Sequence, residues 1–136
     1  MKPIRALMVD DSPEYLEATG GFLSIYPYID LIGQVTRGRD VIDRIQEEKP
    51  DLVLLDLALP DVKGLDLLPQ IKGLPEPPAV IVVTFHNIPA YKTQAFALGA
   101  DGFVLKADLA ADLMVIINEL FEINSDFSRE EFTKGS

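Results

Sequence analysis

Short, unbroken apolar runs alternate along this chain with stretches in which apolar residues recur every three or four positions. "IRALMV" (residues 4–9) has no polar residue on alternate positions except Arg5, and acids stop it at once. A strand with one solvated face would alternate, so this run predicts a strand buried on both faces. "DLVLLD" (51–56), "AVIVVTF" (79–85) and "GFVLK" (102–106) read the same way, and "DLIGQV" (30–35) is a weaker member of the set. Between the runs lie helical patterns. Ser12 is an N-cap with Pro13 in the first turn, and this helix is expected to reach about Ile25, weakened by Gly20 and Gly21 and ended by Pro27. "GRDVIDRIQEEKP" places Val41, Ile42 and Ile45 on one face. "GLDLLPQIKG" is a short helix that Pro69 is expected to kink or shorten, "PAYKTQAFALGA" is closed by Gly99, and "DLAADLMVIINELF" is capped by Asp108. Five βα units in a row predict an α/β fold, a parallel sheet with helices on both faces. The chain turns polar from Glu122, which divides it into a domain at 1–121 and a polar tail or linker at 122–136.

Composition narrows the chemistry. At 136 residues, with 48% hydrophobic and 25% charged residues, the chain is one soluble domain with a real core. It has no cysteine and a single histidine, His86, so disulfides, thiolate metal sites, cysteine nucleophiles and paired-imidazole sites are excluded. No apolar run is long enough for a bilayer and no signal-peptide core is present, so no membrane contact and a cytoplasmic location are expected. A net charge of −10 argues against direct nucleic-acid binding by these residues.

Ligands of open parallel sheets bind at the carboxyl ends of the strands, where the strand order reverses. The first strand delivers Asp10 and Asp11 there, the third Asp56, the fourth Thr84 and the fifth Lys106. Each alone has a plain reading: an Asp after a strand is usually a turn former, a Lys is usually solvated, and a Thr suits a strand. Together they form a set. Crowded carboxylates become tolerable when a hard divalent cation offsets their repulsion, and Mg²⁺ needs only one or two protein carboxylates. A carboxylate also serves as a nucleophile that forms an acyl phosphate, and phosphoryl transfer needs the neutralisation that a metal, a lysine and a hydroxyl supply. Asp10 and Asp11 are therefore expected to hold Mg²⁺, with Mn²⁺ as a substitute.

"VDDS", "LLDLALPDVKG", "VVTF" and "GADGFVLKA" together resemble the receiver domain of two-component response regulators, the chemotaxis-regulator type, over about residues 4–121. The D-x-x-x-P-x-x-x-G spacing from Asp56 through Pro60 to Gly64 belongs to that likeness. The resemblance implies a flavodoxin-like, doubly wound sheet of five parallel strands in the order 2-1-3-4-5 with five helices. It implies that Asp56 accepts a phosphoryl group from a histidine kinase or phosphotransfer protein. Asp11, Asp56 and the Ala58 backbone carbonyl would ligate Mg²⁺, with Asp10 acting through water. Thr84 and Lys106 would bind phosphoryl oxygens, and Phe103 would be the aromatic switch. The fourth helix, fifth strand and fifth helix would change surface on phosphorylation, and phosphorylation-linked homodimers are compatible with the family. The chain would catalyse only its own phosphotransfer and dephosphorylation, as a stand-alone receiver or the receiver piece of a transcriptional regulator. "GADGFVLKA" is most similar to nitrate-regulator-type receivers, whose members usually carry a DNA-binding helix-turn-helix domain that these residues do not include.

Some positions depart from the family pattern. Phe85 follows Thr84 where a small residue is usual, and Ala107 stands where a proline often follows the lysine. Ala58 and His86 occupy positions that tune acyl-phosphate lifetime in the family, though a half-solvated loop role suits His86 equally. Phe85 has two readings: a ring over the mouth of the site, or a ring turned away onto the fourth helix near Ile88. Asp61 and Asp66 read as a turn residue and an exposed helix residue, and Tyr91 and Phe96 as core or partner surface. Two rival classes fit less well. A haloacid-dehalogenase-type phosphatase places D-x-D after its first strand, whereas Asp10 and Asp11 are adjacent and Ala58 stands two residues after Asp56. A degenerate receiver acting only as a scaffold would not need all five site residues.

Overall fold

In the computed structural model, which describes residues 2–123, the five apolar runs form one sheet. The elements in chain order are β1 (Ile4–Val9), α1 (Pro13–Leu23), β2 (Ile29–Val35), α2 (Val41–Glu48), β3 (Leu52–Leu55), α3 (Gly64–Lys72), β4 (Ala79–Thr84), α4 (Pro89–Ala97), β5 (Gly102–Leu105) and α5 (Leu109–Leu120). All strand pairs are parallel and the order is β2-β1-β3-β4-β5, the doubly wound arrangement expected. The order reverses between β1 and β3. A crevice therefore opens where Asp10 and Asp56 leave the sheet.

The uninterrupted apolar runs are explained by the two faces they cover. Leu7, Val9, Val53, Leu55, Val80 and Val82 pack with Val41, Ile45, Leu67, Leu68, Ile71 and Ala95 from α2, α3 and α4. Alternate residues, among them Met8, Leu52, Leu54, Ile81 and Val83, pack with Leu16, Leu23, Leu113, Met114 and Ile117 from α1 and α5. Nearly every residue of β1, β3 and β4 meets a helix on one face or the other, so polar alternation there would bury unpaired groups. The second core extends to Ile123, which is buried. The tail expected at 122–136 lies, from residue 124 onward, outside the described residues.

Several boundaries differ from expectation. α1 stops at Leu23, two residues short of Ile25, where the Ser24 N–H closes on the Gly20 carbonyl. Pro69 does not end α3; it sits on the exposed side and the helix runs on to Lys72. Asp108 precedes α5, but its side chain makes no capping hydrogen bond. A 3-10 turn at Lys106–Asp108 leads into the helix, and at φ −107°, ψ 14° Asp108 lacks the extended backbone from which N-cap side chains reach the first-turn N–H groups. Gly99 does close α4, with φ +106°, a conformation that a side chain would strain. No helix among the described residues is long and apolar enough to cross a membrane.

Candidate functional site

The carboxyl ends of β1, β3, β4 and β5 bring together the residues that the sequence singled out. Asp10 and Asp56 directly follow β1 and β3, Thr84 ends β4, and Lys106 directly follows β5. The Lys106 ammonium joins them. Its Nζ lies 2.7 Å from Asp10 Oδ2 and 3.1 Å from Asp56 Oδ2. Asp56 and Lys106 are only 5% and 7% exposed, so this ion pair is held largely out of water. A buried charge is tolerated only when paired and hydrogen-bonded, and Lys106 has two carboxylates for that purpose.

Local backbone groups orient the acids. The Ser12 N–H donates to Asp10 Oδ1 at 2.9 Å, and the Ala58 N–H donates to Asp56 Oδ1 at 3.0 Å. Each carboxylate thus gives one oxygen to its own turn and the other to Lys106. Asp11 is exposed beside them. One oxygen from each of Asp10, Asp11 and Asp56 lies within 4.8 Å of the others, an acidic pocket that could bind a metal. Three hard oxygen donors suit Mg²⁺ or Mn²⁺ better than a softer ion, so the residues present fit the expected metal.

Burial pushes the Asp56 carboxyl above its ordinary 3.8, despite the Ala58 N–H and the Lys106 charge, and the Asp10 charge adds to the rise. The consequence for stability has a definite sign. The unfolded carboxyl ionises near 3.8 while the folded one keeps its proton to higher pH, so folding binds a proton between the two values. Asp56 therefore lowers stability as pH rises through that interval, and the loss persists above it. Without divalent cation, wild-type stability is expected to fall relative to Asp56→Asn as pH rises from 3.8, then to level off. Urea unfolding of both forms in EDTA across that range measures it, and a difference independent of pH would contradict the assignment.

Thr84 is fully buried, and its Oγ1 accepts the His86 N–H at 3.2 Å. That bond uses a lone pair and leaves the hydroxyl proton free for another acceptor. His86 itself is exposed, with its ring edge-on to Tyr91. Phe103 is half-buried against the core cluster beneath α2, α3 and α4, which Tyr91 also joins from its edge. Ala58 is exposed and pairs with Lys63 in an isolated antiparallel bridge. Phe96 is largely exposed and Asp66 is exposed on α3.

Two features were not legible beforehand. Asp61 is more than a turn residue: its carboxylate accepts N–H groups of Gly38 and Arg39 at 2.8 and 3.0 Å, closing the 3-10 turn before α2. The Arg39 N–H, then that of Gly38, holds its carboxyl below the ordinary value. The second is Tyr15, on the first turn of α1. Its ring meets that of Phe85 edge-on, with centroids 4.6 Å apart, and the Lys106 Nζ lies 4.2 Å from the Tyr15 centroid and 4.7 Å from that of Phe85. Phe85 is thus directed toward α1 and Lys106. Such ring pairs and cation–ring contacts each contribute roughly 0.5–1.5 kcal/mol. Helical position alone puts Tyr15 on the rim, because α1 begins where β1 ends, but nothing local to residue 15 announces Phe85.

Comparison with known proteins agrees with this geometry. Residues 6–118 match the response regulator receiver domain family. The chain is 31% identical over 134 residues to the response regulator protein VraR of Staphylococcus saprophyticus, covering 97% of this chain and 63% of that protein. It is 34% identical over 145 residues to a protein-glutamate methylesterase/protein-glutamine glutaminase of Desulfotalea psychrophila, covering 98% of this chain and 40% of that protein. The chain thus spans less than two thirds of the length of these relatives. Its fold superimposes on the signal receiver domain of NarL from Mycobacterium tuberculosis with a TM-score of 0.82 and 24% identity, covering 91% of this chain and all of that one. Sheet order, acidic pocket and family match converge, and the chain belongs to the response regulator receiver domains.

Proposed function

We propose that this receiver takes a phosphoryl group onto Asp56 from a protein phosphohistidine and uses it to switch a partner-binding surface. The observation that carries the reading is the Lys106 ammonium shared by Asp10 and Asp56 at one rim of the sheet. Three carboxylates and a cation stand together at the strand ends that also carry the buried Thr84 hydroxyl, which supports a nucleophilic role for Asp56.

Each residue then has a task. Asp56 Oδ2 attacks phosphorus, while the Ala58 N–H keeps the other oxygen oriented. Lys106 gives up part of its contact with Asp56 and pairs with a phosphoryl oxygen, so its charge follows the negative charge onto the new group. Thr84 donates its free hydroxyl proton to a second oxygen. Asp11, Asp56 and the Ala58 carbonyl would hold Mg²⁺, with Asp10 reached through water, and that ion would supply neutralisation of the phosphoryl oxygens. No substrate besides its own acyl phosphate is turned over.

The switch follows from packing. Drawing the Thr84 hydroxyl inward leaves room beside β4 that Phe103, half-buried on the neighbouring strand, fills. The surface around α4, β5 and α5 then shifts between two populated states. Exposed Ile88 and Phe96 on that side suit a protein partner, another copy included.

Acetyl phosphate with and without Mg²⁺ provides the test. The chain should gain one acid- and base-labile phosphate per molecule with the metal and at least tenfold less in EDTA, a barrier difference of about 1.4 kcal/mol. Metal-independent labelling would overturn the reading, and so would release of many phosphate equivalents without accumulation, which a phosphatase would give.

A further inference from the structure

We propose that Tyr15 and Phe85 form one two-part cover over Lys106 and Asp56, limiting the access of small phosphodonors and of water. The proposal rests on the phosphoacceptor reading and adds to it a device that needs both rings.

Phe85 is 58% exposed, yet its ring has a defined place against Tyr15 and the Lys106 ammonium. Its backbone is fixed as well, because the Thr84 Oγ1 bond to the His86 N–H spans residue 85. Tyr15 comes from the opposite side of the crevice, on α1. The Lys106 ammonium lies against both rings, which also touch each other, and so draws them onto the same spot. Asp56 and Lys106 sit at strand ends that face the crevice, and both are nevertheless buried. A separate cavity of about 20 Å³ lies on the α1 side, lined by Met8, Leu16, Thr19, Leu54 and Val83 with Tyr15, Asp10, Asp56 and Lys106, and has room for about one water. A phosphodonor that reaches Asp56 past Lys106 meets the two rings that lie against the ammonium.

Labelling and loss share this constraint. In labelling, an Asp56 oxygen forms a bond to the phosphorus of acetyl phosphate while the P–O bond to the acetyl group breaks, and acetate leaves with the electron pair. In loss, a water oxygen bonds to the same phosphorus, the bond to Asp56 breaks, and the products are the carboxylate and inorganic phosphate, with the released proton passing to solvent. Both reactions run in line with an Asp56 oxygen and are approached from outside. A cover slows both, much as a closing lid excludes water.

The test uses the chain with acetyl phosphate and Mg²⁺, in wild-type, Tyr15→Ala, Phe85→Ala, doubly substituted and Tyr15→Phe forms. Each alanine form should label and lose label about tenfold faster than wild type with Mg²⁺ affinity little changed, while the lost ring contacts lower its urea midpoint. The double form should be no faster than about twice either single, since one ring cannot close the opening alone; coupled sites depart from additivity in this way. Tyr15→Phe keeps the ring and should keep wild-type rates. Tyr15→Leu and Phe85→Leu, which retain apolar bulk but no flat ring, should also be fast and replace any alanine form that does not fold. Unchanged rates in Tyr15→Ala would overturn the cover, as would single effects that multiply to about a hundredfold in the double form. Label on wild type with rates unmoved by the ring variants removes the cover alone. Absence of label from every form removes both readings, and label on the alanine forms but not on wild type supports both.

Discussion

An Asp56→Asn chain should take up essentially no phosphate from acetyl phosphate and Mg²⁺, a fall of at least about a hundredfold set by the loss of the nucleophile itself. The amide keeps the size and shape of the carboxylate. Its oxygen can still accept the Ala58 N–H or face Lys106, so the fold loses little, and the Asp56 burial that opposes ionisation is relieved. What disappears is the anionic oxygen. The other two acids are poor replacements. Asp10 already shares its oxygens between the Ser12 N–H and the Lys106 ammonium, and Asp11 is exposed to solvent. Intact-mass measurement before and after brief alkaline treatment reads the outcome. Undiminished labile phosphate on Asp56→Asn would move the phosphoacceptor to a different residue.

The same three acids show how far one sequence can be read. β1, β3 and β4 were legible because burial on both faces forces apolar residues onto consecutive positions, and that pattern survives without knowledge of neighbours. β2 was less distinct. It is an edge strand with a register shift against β1 between Ala6 and Leu7, and only Val35 is fully buried. Convergence of Asp10, Asp56, Thr84 and Lys106 followed once the strands were placed, because parallel topology sends every strand's carboxyl end to one rim. Contacts set by side-chain direction were not legible. Whether Phe85 turns toward α4 or toward Tyr15 depends on a cation carried by β5, and Asp61 finds its N–H partners in the loop after β2. The Asp108 cap failed for a related reason: the backbone after Lys106 enters a 3-10 turn first, and a local capping signal does not register that.

Two glycines on helices should respond in opposite directions to the same methyl group. Gly64 opens α3, and a Cβ there would stand 2.6 Å from both the Asp56 carbonyl oxygen and the Leu57 Cα. Those are backbone atoms, so no side-chain rotation relieves the contact; either α3 or the turn that carries Asp56 must move. Overpacking of this kind costs about 1–3 kcal/mol, and the better helix propensity of alanine, worth about 0.5–1 kcal/mol, does not offset it. Gly21 on α1 has nothing within 4 Å of the same position, and it lies on an exposed face. Gly21→Ala should therefore raise stability by about 0.5–1 kcal/mol, through propensity and a more restricted unfolded chain. Gly64→Ala should lower it. Labelling should fall in Gly64→Ala as well, because the displaced Asp56–Leu57 backbone carries the acceptor and its Ala58 N–H partner, whereas Gly21→Ala should label like wild type. Urea midpoints for the two variants, read beside their labelling rates, check both halves. A stable, normally labelled Gly64→Ala chain would show that the α3 entry yields without disturbing Asp56, and the close approach of these two backbones would then play no part in holding the site.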